Sequence, residues 1–282
     1  MITWIASYPK SGNTWIRSLL STYLYSDDGI FNFNLLKKIN QFPSKYYLNF
    51  FLNNFKDIKK VSDYWIAAQE RINLFNSEAT LLKTHSALCK LENNNFTDKK
   101  NTKAVIYIVR DPRNLITSVS HHYSMNIEES YRFLINKKQI SLADKWGSEE
   151  FGIASVLGSW SAHYQSWKNI KFAKILIIKY EDLINDTDST FKSILNFFAV
   201  SIIARVSFGK HDPPYDGPAL RNLLPILLSR PIPIDISSIL TLIFSHKLAS
   251  SLIKVILVAK KALDAYLINS AALLEVLTYF AP

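Results

Sequence analysis

Ile2-Thr-Trp-Ile-Ala-Ser-Tyr-Pro-Lys-Ser-Gly-Asn-Thr-Trp15 is the stretch that decides the fold of this chain. Its apolar, β-prone start, Ile2 to Ala6, runs into a Pro9-Lys10-Ser11-Gly12 turn. Trp15, Ile16, Leu19, Leu20, Tyr23 and Leu24 then recur at the spacing of one buried helical face. Strand, tight loop and helix together aim backbone N–H groups and a helix N-terminus at an anion. Gly12 permits close backbone approach, Lys10 adds a point charge, and Ser11, Asn13 and Thr14 add donors. Such a loop suits a phosphate-like group.

It differs from an ATP-binding loop, which needs a glycine at its start and Gly-Lys-Ser/Thr in that order. Here Lys10 precedes Gly12, the only glycine of the loop. The run Tyr8-Pro-Lys-Ser-Gly-Asn-Thr-Trp15 instead resembles the 5′-phosphosulfate loop of sulfotransferases that use 3′-phosphoadenosine 5′-phosphosulfate (PAPS). The resemblance implies that Lys10, Ser11, Gly12, Asn13, Thr14 and Trp15 hold this donor.

Further along, Ala104-Val-Ile-Tyr-Ile-Val109 reads as a buried parallel strand, followed by Arg110-Asp-Pro-Arg-Asn114 and a helical pattern from Leu115 to Tyr123. Ligands of open α/β sheets bind outside the carboxyl ends of the strands, which puts Arg110 on the same rim as Lys10. The stretch Tyr107 to Ser118 resembles the family's 3′-phosphate site and implies Arg110 and Ser118 as its two contacts. A guanidinium fork and a hydroxyl near a helix start suit a phosphate monoester. Asp111 also admits a Walker B reading, in which it orders Mg²⁺ for a kinase, although Arg110 separates it from the apolar run.

Between these segments, Thr80-Leu-Leu-Lys-Thr-His85 is a short β-like run with Lys83 and His85 at alternate positions. Its Lys-Thr-His resembles the family sequence whose histidine is the general base; Lys83 would help hold the transferring group. An imidazole poised near neutral pH can take the proton of an acceptor hydroxyl. His121 and His122 read as helix-surface residues, and His163, His211 and His246 have no supporting context. A helical stretch from Trp160 leads into Lys174-Ile-Leu-Ile-Ile-Lys-Tyr-Glu-Asp-Leu183, again similar to the family. There Tyr180, with Trp15, matches the aromatic positions that help hold adenine, a use suited to flat rings. Glu181 and Asp182 read as a structural turn.

With 282 residues, 48% of them hydrophobic, the chain can bury one sizeable core. A formal net charge of +10 suits a polyanionic donor. It would also suit nucleic acid, but no zinc spacing, RNA-binding sheet motif or helix-turn-helix signal accompanies it, so no nucleic-acid partner is expected. Cys89 stands alone, which rules out an intrachain disulfide, and no signal peptide is evident; both fit a cytoplasmic protein. After Phe197-Phe-Ala-Val200 the resemblance stops: the Arg-Lys-Gly and Gly-x-Trp-Lys stretches that family members use to close over the nucleotide are missing. Residues 201–282 read instead as divergent helices, and Asp235, Lys247, Lys254, Lys260 and Lys261 keep every apolar run below the ~18 residues of a membrane span. Peripheral membrane contact by that basic, apolar region stays open.

The expected architecture is one α/β domain of the P-loop type, three-layered, with a parallel sheet flanked by helices: a core at 1–200 and the helical region at 201–282. By resemblance the chain is a PAPS-dependent sulfotransferase with no metal requirement, acting on a hydroxyl or amine of a small-molecule, carbohydrate or lipid acceptor. The acceptor would meet residues 42 to 75 and 125 to 150, where Phe, Tyr, Trp and Lys mix. The rival readings are a kinase-like phosphotransferase and an inactive nucleotide-binding relative. Oligomeric state has no signal in the sequence.

Overall fold

A computed structural model of the chain describes residues 1–75, 80–141 and 153–208. In chain order the elements are β1 (Ile2–Ser7), α1 (Asn13–Tyr25), the 3-10 helix η1 (Phe33–Lys38), α2 (Lys45–Leu48), α3 (Ile58–Ser62) and α4 (Trp65–Phe75). Next come β2 (Thr80–Thr84), the two-residue strands β3 (Lys90–Leu91) and β4 (Asn94–Asn95), β5 (Thr102–Val109), α5 (Pro112–Tyr123) and α6 (Ile127–Ile135). The last are α7 (Trp160–Lys168), β6 (Lys174–Lys179), α8 (Tyr180–Asn185) and α9 (Thr187–Phe208).

Four strands form a parallel sheet in the order β2-β1-β5-β6. The two central strands, β1 and β5, are covered on both faces, and so they read as continuous apolar runs without alternation. Alternate residues still divide between two layers. Trp4, Leu82, Val105 and Tyr107 join a core with Trp65, Ala68 and Ile72 of α4 and Trp167 of α7. Ile5, Ile106, Ile108 and Ile178 join the other core with Ile16 and Leu20 of α1, Leu183 of α8 and Ile194 of α9. The sheet flanked by helices on both faces is thus the one expected. A third cluster joins Tyr8 to Leu115, Val119 and Tyr123 of α5 and to Phe133 and Leu134 of α6, next to the first loop.

Three local readings are revised. Helix α5 starts at Pro112, not Leu115, because Asp111 caps it through Arg113 N and proline suits a first helical turn. Tyr180 to Leu183 is the start of the short helix α8. In the stretch expected to meet an acceptor, Phe42, Leu48, Val61, Trp65, Ala68 and Ile72 are core residues. The expected C-terminal helices beyond Phe208, and residues 142–150 of the other acceptor stretch, lie outside the described residues. Among the described residues no helix is long and apolar enough to cross a membrane.

Candidate active site

Parallel strands that start in register also end on one side. Ala6 pairs with Thr84, Ser7 with Ile108, and Val109 with Lys179. The residues that follow, the Tyr8–Gly12 loop, His85, Arg110 and Tyr180, therefore share the carboxyl rim of the sheet.

In the loop, Lys10 and Gly12 both have left-handed backbones, with φ of 67° and 97°. Left-handed residues curl a chain so that neighbouring N–H groups converge, a geometry that receives anions. For lysine the conformation is strained and must be held by its surroundings. Arg110 supplies part of that hold, its Nη1 donating to Lys10 O at 3.0 Å. Helix α1 has no side-chain N-cap, and Gly12 O accepts from Trp15 N and Ile16 N, which leaves the first N–H groups of the helix without intrahelical partners. Ser11 Oγ and Arg110 Nε are buried and have no hydrogen-bond partner among the described residues. Buried polar atoms left open beside an uncapped helix start fit an anionic ligand.

Tyr180 explains why position 12 is glycine. A Cβ there would lie 2.5 Å from Tyr180 Cδ2. The same ring carries Arg110, whose Cζ lies 4.4 Å from its centroid, and meets Trp15 edge-on at 6.1 Å. Tyr180 thus braces both the loop and the arginine, a task its sequence position did not reveal. Gly12→Ala combines a steric clash with an unfavourable φ. It should destabilise the protein by about 1–3 kcal/mol. Thermal melting would check this; a parent-like variant would mean the loop tolerates Tyr180 moving away.

The side chain of Asn13 departs from expectation. It is buried, and its Nδ2 donates to Ile5 O at 3.0 Å and to Ser7 Oγ at 3.1 Å, so it ties the helix start to β1 and offers no donor to a ligand. Thr14 is exposed in the first turn. Ser118 is half-buried in the second turn of α5. Asp111 is used by α5 and by Arg113, which donates to it in a fork. Glu181 accepts from Asp111 N at 3.0 Å and joins the ends of β5 and β6, the structural role read for it.

His85 and Lys83 flank the buried Thr84 at the end of β2. Lys83 is fixed on both sides: its main chain pairs with Ile5 across β1, donates to Asn40 O and accepts from Phe42 N. Burial, aided by the charges of Arg17 and Lys10, lowers its pKa to about 7. His85 Nδ1 lies 2.8 Å from Ser7 O. A carbonyl only accepts, so Nδ1 carries the proton and Nε2 keeps its lone pair. Burial first, then the Lys83 charge, hold the pKa of His85 well below the ordinary histidine value. At neutral pH it is an uncharged imidazole whose Nε2 has no hydrogen-bond partner among the described residues.

Three cations, Lys10, Arg17 and Lys83, thus act on one rim, and among the described residues none of them forms an ion pair. Arg17 was not singled out in the sequence; its Nη2 caps the end of η1 through Leu36 O and Ile39 O, both at 2.8 Å. His122, expected on the helix surface, is half-buried, and burial followed by the charges of Lys10 and Lys83 lowers its pKa. His121 is exposed, as expected. His163 had no supporting context in the sequence, yet it is fully buried behind the rim, with Nδ1 2.8 Å from Tyr107 Oη and Nε2 3.0 Å from His85 O. The one available signal was its spacing from Trp167, since i and i+4 share a helical face.

The sulfotransferase domain family matches residues 2–210. The 3-alpha-hydroxysteroid sulfotransferase of Cavia porcellus is 24% identical over 193 residues, 68% of this chain and 56% of that protein. Sulfotransferase 1A1 of Bos taurus is 27% identical over 202 residues, 70% and 59% of the two chains. The chain thus spans under three fifths of the length of these curated relatives. Among solved structures, mouse sulfotransferase SULT7A1 complexed with PAP is 21% identical with a TM-score of 0.41, covering 81% of this chain and 64% of that one. A retinol dehydratase in complex with androsterone and inactive cofactor PAP is 15% identical with a TM-score of 0.40, covering 70% and 59%. With three quarters of its length matched and the loop, rim and strand ends in place, the chain belongs to the sulfotransferase domain family.

Proposed function

We propose that this protein moves a sulfuryl group from PAPS to the hydroxyl of an acceptor and releases adenosine 3′,5′-bisphosphate. The observation that carries the reading is His85, neutral and with Nε2 open, on the rim where the charges of Lys10 and Lys83 act. PAPS supplies an electrophilic sulfur on a bisphosphate leaving group. His85 Nε2 takes the acceptor proton as the oxygen–sulfur bond forms and the bond from sulfur to the 5′-phosphate oxygen breaks. Lys10 and the N–H groups at the start of α1 stabilise the charge that grows on the departing phosphate. Lys83 steadies the sulfuryl oxygens while protonated. A hydroxyl is the acceptor this base suits; steroids, after the name of the guinea-pig relative, join phenols, sugars and lipids in a first screen with labelled donor.

A kinase-like reading needs a strand-end carboxylate free to order Mg²⁺. Asp111 instead caps α5 and pairs with Arg113. Calorimetry tests the choice: adenosine 3′,5′-bisphosphate should bind and ATP·Mg²⁺ should bind far more weakly. The reverse order would replace this function with phosphoryl transfer.

The 3′-phosphate offers a finer test. Arg110→Ala and Ser118→Ala should weaken binding of the 3′-phosphorylated nucleotide and barely alter that of adenosine 5′-phosphosulfate. The arginine should matter more, since charge-assisted bonds are about twice as strong as neutral ones. Its stacking on Tyr180 and its bond to Lys10 O add a structural share. Equal losses with both nucleotides would reduce Arg110 to that bracing role.

A further inference from the structure

We propose that Tyr107 and His163 are a buried positioning pair that fixes the main chain at His85, so that turnover depends on two residues that never touch substrate. The inference rests on the reading of His85 as the base.

The ladder between β1 and β2 ends at Ala6 and Thr84, so His85 lies one residue beyond its support. What holds it comes from side chains. On the ring side, Nδ1 bonds to Ser7 O at 2.8 Å. On the main-chain side, His163 Nε2 lies 3.0 Å from His85 O, Trp167 Nε1 donates to Ser86 O at 3.0 Å, and Thr84 Oγ1 accepts from Ser86 N at 3.0 Å. Two of those three bonds come from one face of α7.

The directions of the first bond and its partner are settled by chemistry. The carbonyl of His85 can only accept, so His163 Nε2 carries the proton. His163 Nδ1 is then bare and accepts from the Tyr107 hydroxyl at 2.8 Å. Tyr107 is 1% exposed and His163 is 0% exposed, so water cannot replace either bond. The His85 carbonyl already favours this tautomer, and the hydroxyl locks it by satisfying a buried Nδ1 that would otherwise be left bare. An apolar pair could fill the same space without the desolvation that a buried imidazole and phenol incur. Tyr107 therefore locks the tautomer and His163 is the arm that reaches the base.

The test compares His163→Leu, His163→Gln and Tyr107→Phe in the full chain, with folding confirmed by near-ultraviolet dichroism. Glutamine can present an N–H where the imidazole Nε2 stood; leucine cannot. A displacement of about 1 Å at a reacting group can cost roughly 10²-fold. His163→Leu should therefore lose about 10- to 100-fold in turnover, while adenosine 3′,5′-bisphosphate affinity stays within about threefold. His163→Gln should recover most of that loss, and Tyr107→Phe should fall between the two.

A second readout needs no acceptor: the titration of His85 by NMR of ring-labelled histidine. Lys83 on its own strand, Arg17 from α1 and His163 from α7 face His85 and, with burial, hold its pKa down, against the Ser7 carbonyl. A freed ring should titrate closer to the ordinary value of about 6.5 in His163→Leu and in Tyr107→Phe, but not in His163→Gln. Parent-like turnover and titration in the leucine variant, or equal damage from leucine and glutamine, would overturn the pair's role. If the leucine variant does not fold, Tyr107→Phe, which removes one oxygen atom, decides alone. If the parent transfers nothing, the sulfotransfer reading fails by itself, and the titrations still decide whether the pair positions His85.

Discussion

Replacing His85 by alanine should lower turnover about 10²–10⁴-fold while leaving adenosine 3′,5′-bisphosphate affinity within about threefold, because a general base acts on the acceptor and need not touch the donor's phosphates. The pH profile of kcat/KM should carry the same signature. On the proposed mechanism His85 works unprotonated, so the rate should rise with pH through its pKa. Sequence alone would place that limb near the ordinary value of about 6.5. The structure moves it lower, since burial and the charge of Lys83 disfavour the imidazolium. The same mechanism needs Lys83 protonated, and its pKa of about 7 in the free protein should turn the rate down on the alkaline side. A bound polyanion favours the ammonium form, so the alkaline limb of kcat should lie above that of kcat/KM. A His85→Ala protein that transfers sulfuryl groups at the parent rate would make the residue a bystander. An acid limb at or above 6.5 would mean the ring is more solvated than its bonds imply.

Lys10→Ala should cost about two orders of magnitude in turnover or more, the scale on which enzymes lose rate when a donor to a developing anion is removed. The charge sits on a strained, left-handed residue at the centre of the loop, whose carbonyl Arg110 holds in place. Its loss should also weaken bisphosphate binding, which sets it apart from His85→Ala. Arginine at the same position should restore affinity better than rate, because a broad fork does not reproduce a compact ammonium against one oxygen. Near-normal turnover in a folded alanine variant would remove Lys10 from the mechanism and leave the helix start and backbone N–H groups to stabilise the leaving phosphate.

Sequence by itself determined the sheet, the loop and the side of the sheet on which chemistry gathers. Those features are local: an apolar run makes a buried strand, Pro-Lys-Ser-Gly makes a tight turn, and parallel strands must all end on one rim. Lys10, Lys83, His85 and Arg110 could therefore be placed together from three separate segments, none of which needed knowledge of the others. The tertiary structure decided what each of them leans on. Asn13 could have faced a ligand but turns to Ile5 O, and Gly12 is glycine because a ring from residue 180 fills the space of its missing Cβ. His163 looked like an unsupported histidine until folding set it between Tyr107, 56 residues away, and His85, 78 residues away. Partners of buried polar groups are chosen by proximity in the folded core, where an unmet donor or acceptor is costly, and that choice leaves no period or spacing in the chain to read.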